Sequence, residues 1–215
     1  AFDGMVDFTE ELPIVNFNVL LGRLRLGELH LTDKYADMDI STQITINASG
    51  NNLDNINGYL YIDSLHIIRP DKEFFMQQMR VIAETGDNEP TSLKINSDYL
   101  NANFSGKYKY SMLPLAAARL IAKHVPQMLS LKTRQKLEQT PPQNDLSYYM
   151  YFKNLDSIFN ILDIPVNLSK MPTIKGSLKE TSEQFSLQAG IPNFKYGKIN
   201  INDITLNFDN KGEQL

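Results

Sequence analysis

The chain contains two partial copies of one sequence pattern, and this repeat constrains its fold more than any other feature. The first copy covers residues 43–67 and the second covers residues 184–206. In each copy, alternating apolar and polar residues are interrupted by two adjacent polar residues, Asp63-Ser64 in the first and Asn202-Asp203 in the second. Repeated units of this kind bury their apolar faces by stacking on one another. The repeat therefore predicts an extended scaffold rather than a self-contained enzyme pocket.

The two copies divide the chain into three segments. Residues 1–69 are predicted to form a first strand–helix–strand–strand unit, and residues 146–215 a second unit related to it. Residues 70–145 lie between them and are predicted as inserted strands followed by an amphipathic helix over about 114–131. Pro126 falls inside that helix, where it should kink the helix or split it in two.

The two related units are each predicted to contain a short apolar segment between strands. Residues 22–31 carry leucines that fit a short helix or an irregular apolar turn. Residues 154–162 have apolar residues at helical spacing, which predicts a short helix.

Most of the remaining chain alternates apolar and polar residues with a period of two, as half-buried strands do. The polar positions are mainly Asn, Ser, Thr, Gln, Asp and Lys. Strands with one apolar and one polar face are typical of antiparallel sheet that is covered on one side only. The fold class predicted is therefore mainly β, a curved, mostly antiparallel amphipathic sheet that forms a trough, with a few short helices.

Two interpretations of the apolar face remain open. The strands could close into a plain structural β-sandwich that packs dry and binds no ligand, or they could leave an open apolar groove. The groove is favoured by the repeat, by the mainly aliphatic apolar residues and by the absence of Trp. The candidate groove residues are Ile44, Ile46, Leu60, Ile62, Leu65, Ile67, Leu93, Ile95, Phe104, Phe185, Leu187, Ile199, Ile201, Ile204 and Leu206. The predicted helix is expected to cover this face with Leu120, Ile121, Val125 and Met128.

Composition indicates which partners to expect. The net charge of −4 and the lack of a basic run argue against nucleic acid. The chain has no cysteine, which excludes disulfides and thiolate metal sites. It contains no apolar stretch long enough to span a membrane. Because it begins at Ala1, we expect an internal piece of a larger protein, with any membrane anchor outside this segment.

Motifs for catalysis or metal binding are missing from the sequence. The three histidines, His30, His66 and His124, have no metal-site spacing, and no hydrolase nucleophile motif occurs. The aspartates at 33, 37 and 39 could offer oxygen ligands to Ca²⁺, but the central Gly and terminal Glu of the usual loop are missing. We therefore predict no enzyme activity, no cofactor and no metal.

Four segments resemble the TamB family, the inner-membrane component of the translocation and assembly module and a relative of AsmA. They are Leu29-His30-Leu31-Thr32-Asp33-Lys34-Tyr35, residues 49–58, residues 64–73, and Leu93-Lys94-Ile95-Asn96-Ser97-Asp98-Tyr99-Leu100. The resemblance is to the versions found in Bacteroides-type envelopes and covers most of the chain. It implies a long periplasmic β structure shaped like a folded taco, with a hydrophobic groove.

The resemblance also implies a function. Family members are implicated in phospholipid transport between membranes and in outer-membrane protein assembly, and the family has no catalytic residues to carry over. The expected partners are phospholipid acyl chains and an outer-membrane assembly protein, and the expected location is the periplasm. An alternative keeps the fold and changes the ligand: a chaperone-like module that binds unfolded outer-membrane β-strands by edge pairing.

Overall fold

The computed structural model describes residues 1–30, 33–85, 90–124, 127, 129–168, 171–191, 194–196 and 199–210. The strands within these residues are β1 (Phe2–Asp7), β2 (Ile14–Arg25), β3 (Asp39–Ser49), β4 (Asn57–Arg69), β5 (Lys72–Glu84), β6 (Thr91–Ser97), β7 (Leu100–Lys107), β8 (Asp145–Phe152), β9 (Val166–Leu168), β10 (Thr173–Lys179), β11 (Gln184–Ile191), β12 (Phe194–Tyr196), β13 (Ile199–Ile201) and β14 (Ile204–Asn210). The α-helices are α1 (Leu113–His124), α2 (Leu131–Gln139) and α3 (Leu155–Ile161).

One large antiparallel sheet dominates the fold. It contains eleven strands in the order β1-β2-β3-β4-β5-β6-β7-β8-β10-β11-β14, which is the order of the chain. The strands omitted from it, β9, β12 and β13, form a separate small sheet in which β12 lies between the other two. In the described part of the chain, β1 and β14 each pair on one side only, so the large sheet is open. The predicted fold class, a mainly β and mostly antiparallel sheet, is confirmed.

Residues that pair across neighbouring strands form a continuous apolar face on this sheet. Because directly opposed residues of neighbouring strands point to the same side, each cross-strand row lies on one face. One row crosses all eleven strands as Gly4, Phe17, Ile46, Leu60, Val81, Ile95, Ala102, Met150, Ile174, Ala189 and Leu206. The row beside it reads Val6, Val15, Ala48, Gly58, Ala83, Leu93, Phe104, Tyr148, Gly176, Leu187 and Phe208.

Contacts between distant strands show that the sheet is curved with this face inside. At one end, Asp54, in the β3–β4 connection, accepts a hydrogen bond from the backbone N–H of Ser111, which follows β7 (2.9 Å). At the other end, α3 follows β8 yet packs on β5, and Ile161 joins a buried cluster with Phe74 and Met76. Neighbouring strands lie about 4.8 Å apart, so a flat sheet would separate β8 from β5 by about 14 Å. The large sheet therefore forms a trough.

The polar pair that marks the repeat has the same backbone conformation in both copies. Ser64 has φ 53° and Asp203 has φ 52°. In the first copy this residue lies at a bulge, where the register between β3 and β4 shifts. A positive φ at a non-glycine residue is found mostly in short polar side chains such as Asn and Asp, and bulges accommodate it within a strand. The sequence repeat thus corresponds to a repeated backbone feature.

The second copy departs from the first on either side of that feature. β4 continues through Ser64, whereas the chain around Asp203 separates β13 from β14. β14 pairs with β11 in the large sheet, while β13 pairs with β12, which in turn pairs with β9. The predicted groove residues Ile199 and Ile201 therefore lie in the small sheet, 58% and 42% exposed. The prediction that they line the groove is wrong, because β13 pairs with β12 and is not part of the large sheet.

The predicted helices differ from the observed ones in two places. For residues 22–31 the sequence predicts a short helix or an irregular apolar turn. β2 instead continues to Arg25, and a turn follows over residues 26–30, in which the N–H of Gly27 donates to the carbonyl of Ala36 (3.1 Å). The helix is therefore wrong and the turn is confirmed for the described residues, while Leu31 lies outside them. The helix predicted over 114–131 ends at His124, and α2 begins at Leu131. Pro126 lies outside the described residues. The helix predicted over 154–162 is confirmed as α3.

An ion-pair cluster fixes α3 against the β4–β5 turn. Asp163 accepts hydrogen bonds from Arg69 and Lys72, and Arg69 also donates to Asp37 (2.8 Å) and to the carbonyl of Ile161 (3.0 Å). The Arg69 side chain is largely buried by these contacts. This cluster holds one end of the trough in its curved form.

Asp163 gives this end of the trough a testable pH dependence. Hydrogen bonds from Lys72 and Arg69 hold the pKa of its carboxyl below the usual value. A lowered folded-state pKa means that the stabilisation is complete above the ordinary carboxyl pKa and is lost as pH falls through the lowered value. In urea denaturation, we expect Asp163→Asn to be less stable than wild type at neutral pH, with the difference shrinking below about pH 4. A difference that stays constant on acidification would contradict this ion pairing.

Candidate functional site: an apolar chamber in the trough

The concave face contains a cavity of about 490 Å³ between β3 and β6, here called the apolar chamber. Its floor is made by the two apolar rows, and its lining is entirely aliphatic, aromatic or glycine. The lining residues are Ile46, Ala48, Leu53, Ile56, Gly58, Tyr59, Leu60, Val81, Ala83, Leu93 and Tyr110. The volume lies in the range of small-molecule sites.

Small residues create this space. Ala48, Gly58 and Ala83 are direct neighbours in one row across β3, β4 and β5, where the same row carries bulky residues from β6 to β8. Gly58 has φ 145°, and a Cβ at this position would collide with the backbone of Asn47 and Ala48. The backbone therefore requires glycine at position 58.

Two short 3-10 helices, Leu53–Asn55 and Tyr110–Met112, each contribute a side chain to the chamber lining. The turn at Leu53–Asn55 is capped by Asn52, whose side chain accepts from the N–H of Asp54 (2.8 Å). The Asp54 carboxylate then accepts from the N–H and hydroxyl of Ser111, at 2.9 and 2.5 Å. Burial raises the pKa of Asp54, but these donors and Lys109 outweigh it and lower the pKa overall. The ionised carboxylate thus ties the two turns together.

A polar cavity of similar volume adjoins the chamber at the strand ends, here called the polar mouth. It is formed by the residues that end or begin β3 to β7 and by the turns beyond them. Its lining residues are Leu12, Ser49, Asp54, Asn55, Asn57, Thr85, Thr91, Lys107, Tyr108, Lys109 and Gln143. Thr85 lies two residues after Ala83 of the chamber and Thr91 two residues before Leu93. Because alternate residues point to the same face, the lining changes from apolar to polar between successive positions of that face.

Helix α1 covers the apolar face beyond the chamber. Ala116 packs in a buried cluster with Tyr108, Leu146 and Leu178, against which Leu120 also packs. Leu146 belongs to β8 and Leu178 to β10, so α1 lies over the part of the trough that adjoins β11. Tyr110 belongs to this cluster and also lines the chamber, and it therefore separates the two regions.

A buried ion pair fixes α1 in this position. The Glu180 side chain is 2% exposed and accepts hydrogen bonds from Arg119 of α1 and from the backbone and side-chain N–H groups of Asn144, at 2.8 and 2.6 Å. Arg119 also donates to the carbonyl of Thr140 (2.5 Å) after α2. A single arginine thus joins α1, the end of α2 and the turn that follows β10.

The predicted groove residues of the large sheet lie in the chamber, at the α3 end, beneath α1 and at further positions of the apolar face. Ile46, Leu60 and Leu93 line the chamber. Ile62, Leu65 and Ile67 pack against the buried cluster at the α3 end, while Phe104 and Phe185 pack beneath α1. Ile44, Ile95, Leu187 and Leu206 lie on the same apolar face by register, and Ile204 is the first residue of β14.

Of the predicted covering residues, Leu120 lies on the apolar cluster. The side chain of Ile121, together with Val125 and Met128, lies outside the described residues. Sequence reasoning did not select Val81, Ala83, Leu53, Ile56 or Tyr110 for the groove, although they line the chamber. Alternation in β5 was a usable signal for Val81 and Ala83. The other three lie in turns, where no periodicity indicates which way a side chain points.

The other candidates from the sequence have ordinary partners. Asp37 pairs with Arg69, Asp39 pairs with Arg23, and the ring of His66 lies 2.6 Å from the carboxylate of Glu73. Among the described residues, no group of three or more His, Cys, Asp or Glu side chains is arranged to hold a metal ion. Within the same residues, no helix has the length and hydrophobicity needed to cross a membrane.

Comparison with known proteins identified no relative: no family model, no curated protein and no solved structure matches the chain. The chamber and the trough therefore provide the basis for a functional proposal.

Proposed function

We propose that the apolar chamber and the adjoining concave face bind acyl chains of phospholipid. The observation that carries this proposal is the chamber itself, a cavity of about 490 Å³ with an apolar lining, close to the polar mouth. Covering such a surface stabilises a bound chain by about 25 cal/mol per Å² of apolar area removed from water. A lining without charged side chains favours a hydrocarbon over a polar metabolite.

The proposal places this chain in a larger, non-catalytic assembly. In agreement with the resemblance to the TamB and AsmA-like proteins, the chain would be a periplasmic segment of a cell-envelope protein anchored in the inner membrane by a part outside these residues. It would take part in phospholipid transport between membranes, in outer-membrane protein assembly, or in both, with an outer-membrane assembly protein as partner. The open trough and the apolar rows that continue into both outer strands support a modular conduit.

Filling the chamber provides a direct test. Ala83→Trp would occupy the space next to Gly58, whereas Ile82→Trp adds the same side chain to the opposite face of β5. After purification without detergent and solvent extraction, mass spectrometry should find phospholipid with the wild type and with Ile82→Trp. The amount bound to Ala83→Trp should fall by roughly tenfold, because an occupied cavity excludes the chain.

The comparison requires that both tryptophan variants keep a cooperative unfolding transition. A wild-type protein that carries no lipid, and takes up none from vesicles, would contradict the proposal. Equal lipid content in the two variants would place the lipid outside the chamber.

A second candidate function is supported by the outer strands. β1 and β14 each have one edge that is unpaired within the described residues, and Phe2, Val6, Leu206 and Phe208 are exposed there. Such edges accept an added strand through main-chain hydrogen bonds. We propose a chaperone-like alternative in which these edges bind unfolded outer-membrane β-strands.

The two candidates predict different ligands. Titration with a labelled outer-membrane β-hairpin peptide should give saturable binding if edge pairing is the function, and Ala83→Trp should leave that binding unchanged. A lipid-free wild-type protein that binds the hairpin would favour the chaperone role over the conduit.

A further inference from the structure

Two lysines line the polar mouth, in contrast to the uncharged lining of the apolar chamber. Lys107 ends β7, and Lys109 lies two residues further along, with an extended backbone at φ −112° and ψ 127°. Alternate residues of an extended segment point to the same side. Both lysines contribute to this one cavity and both are exposed, so a ligand in the mouth can reach them.

The mouth has an excess of positive charge. Its charged lining residues are Lys107, Lys109 and Asp54. The Asp54 carboxylate accepts hydrogen bonds from the N–H and the hydroxyl of Ser111, at 2.9 and 2.5 Å, so its acceptor capacity is used within the protein. Two ammonium groups against one occupied carboxylate favour an anionic ligand, although the whole chain has a net charge of −4.

The two ammonium groups are available for a ligand, whereas neighbouring hydroxyls are not. No ion pair formed by the described residues includes Lys107 or Lys109. The hydroxyl of Thr85 donates to the carbonyl of Ile56 (3.0 Å), and the hydroxyl of Thr91 donates to the carbonyl of Tyr108 (3.4 Å). These hydrogen bonds fix the frame of the mouth and leave the lysines as its charged donors.

We propose that Lys107 and Lys109 bind the phosphate group of a phospholipid whose acyl chain occupies the apolar chamber. This inference rests on the proposed function and specifies how the headgroup end of the lipid is recognised. Thr85 of the mouth lies two residues beyond Ala83 of the chamber, about 7 Å further along the strand direction. The glycerol backbone of a phospholipid bridges a distance of this order between an acyl chain and the phosphate. A free organic phosphate offers the same group to the lysines.

A charged and a neutral lipid with the same acyl chains test this recognition. Dihexanoyl phosphatidylglycerol carries the phosphate, and dihexanoylglycerol lacks it while keeping the glycerol backbone and both chains. In calorimetric titrations at concentrations where neither lipid aggregates, we expect the wild type to bind the phospholipid about tenfold more tightly, as two solvated ion pairs would give. Because salt screens exposed charges, the preference should shrink between about 0.05 M and about 0.5 M NaCl.

The double variant Lys107→Gln/Lys109→Gln should lose the preference for the phospholipid and bind dihexanoylglycerol as the wild type does. Lys94→Gln/Lys175→Gln is the matched control, because it removes the same charge from the opposite face of the sheet. Both variants should melt close to the wild type without ligand, since exposed lysines contribute little to stability. A marked decrease for Lys107→Gln/Lys109→Gln alone would show that these lysines pair within the protein, and would overturn the proposal.

Glycerol phosphate tests the free phosphate as the source of the group. It should bind the wild type at least tenfold more weakly than the phospholipid, because no acyl chain accompanies it into the chamber. Binding as tight as that of the phospholipid, and lost in Lys107→Gln/Lys109→Gln, would assign the mouth to a free organic phosphate and overturn the lipid as its source.

The outcomes separate this inference from the function on which it rests. A wild type that binds neither lipid overturns the proposed function and headgroup recognition with it. A wild type that binds the two lipids equally, or a Lys107→Gln/Lys109→Gln variant that retains the preference, overturns phosphate recognition alone. Phospholipid binding that the lysine variant weakens and Ala83→Trp leaves unchanged overturns the role of the chamber and supports the phosphate site in the mouth.

Discussion

Replacing Ala116 with Asp is expected to lower the free energy of unfolding by about 4 kcal/mol, because it places a carboxylate among apolar side chains without a partner. Ala116 is 1% exposed and packs in a cluster with Leu146 and Leu178. For a chain of this size, the melting temperature should fall by roughly 10 °C. Chemical denaturation followed by circular dichroism would measure the change.

The adjacent residue provides a matched control. Ala117 is exposed on the same helix, so Ala117→Asp should change the free energy of unfolding by no more than about 0.5 kcal/mol. Equal effects of the two substitutions would show that α1 does not pack on the apolar face in solution. In that case α1 would be available to a membrane surface or a partner, as a basic amphipathic helix can be.

Replacing Arg119 with Met is expected to destabilise the fold by about 3–5 kcal/mol, because it leaves the buried Glu180 carboxylate without its cation. The two backbone and side-chain N–H groups of Asn144 would remain as donors to Glu180, but they carry no compensating charge. The further substitution Glu180→Gln should recover part of the loss, since no uncompensated charge then stays buried. Urea denaturation of the single and double variants would measure both effects.

An exposed ion pair serves as the comparison for this prediction. Lys94 and Glu84 lie 3.6 Å apart with more than half of each side chain exposed. Lys94→Met should therefore cost no more than about 0.5 kcal/mol. If Arg119→Met were no more destabilising than Lys94→Met, the Arg119–Glu180 pair would not hold α1 in the trough.

The strands were predictable because their signal is local. Each strand carries its apolar residues at every second position, and this pattern depends only on which face is covered. Alternation therefore identified Ile46, Leu60 and Leu93 as residues of one face, and the structure places all three in the chamber. The paired polar residues of the repeat were also visible, although their role as a bulge with positive φ was not assigned beforehand.

The pairing of the strands was harder to predict from the sequence than the positions of the strands. The second copy alternates as the first does, so its sequence placed Ile199 and Ile201 in the same groove. In the structure, the partner of β11 is β14, and β13 belongs to the small sheet. A strand can satisfy its backbone hydrogen bonds with any suitable edge, and the choice among edges is made by the whole fold.

Sequence alone determined that this protein has a mainly β fold, with antiparallel strands that share one apolar face and a sequence pattern that occurs twice. Only the tertiary structure decided where that face is filled and where it is empty. α1 covers one part of the trough through Arg119 and Glu180, α3 closes one end, and the turns at Leu53–Asn55 and Tyr110–Met112 contribute to the chamber lining. These contacts join residues that are far apart in the chain, such as Asp54 and Ser111. Periodicity reports only how a residue is oriented relative to its neighbours in sequence, and cannot encode which distant segment covers it.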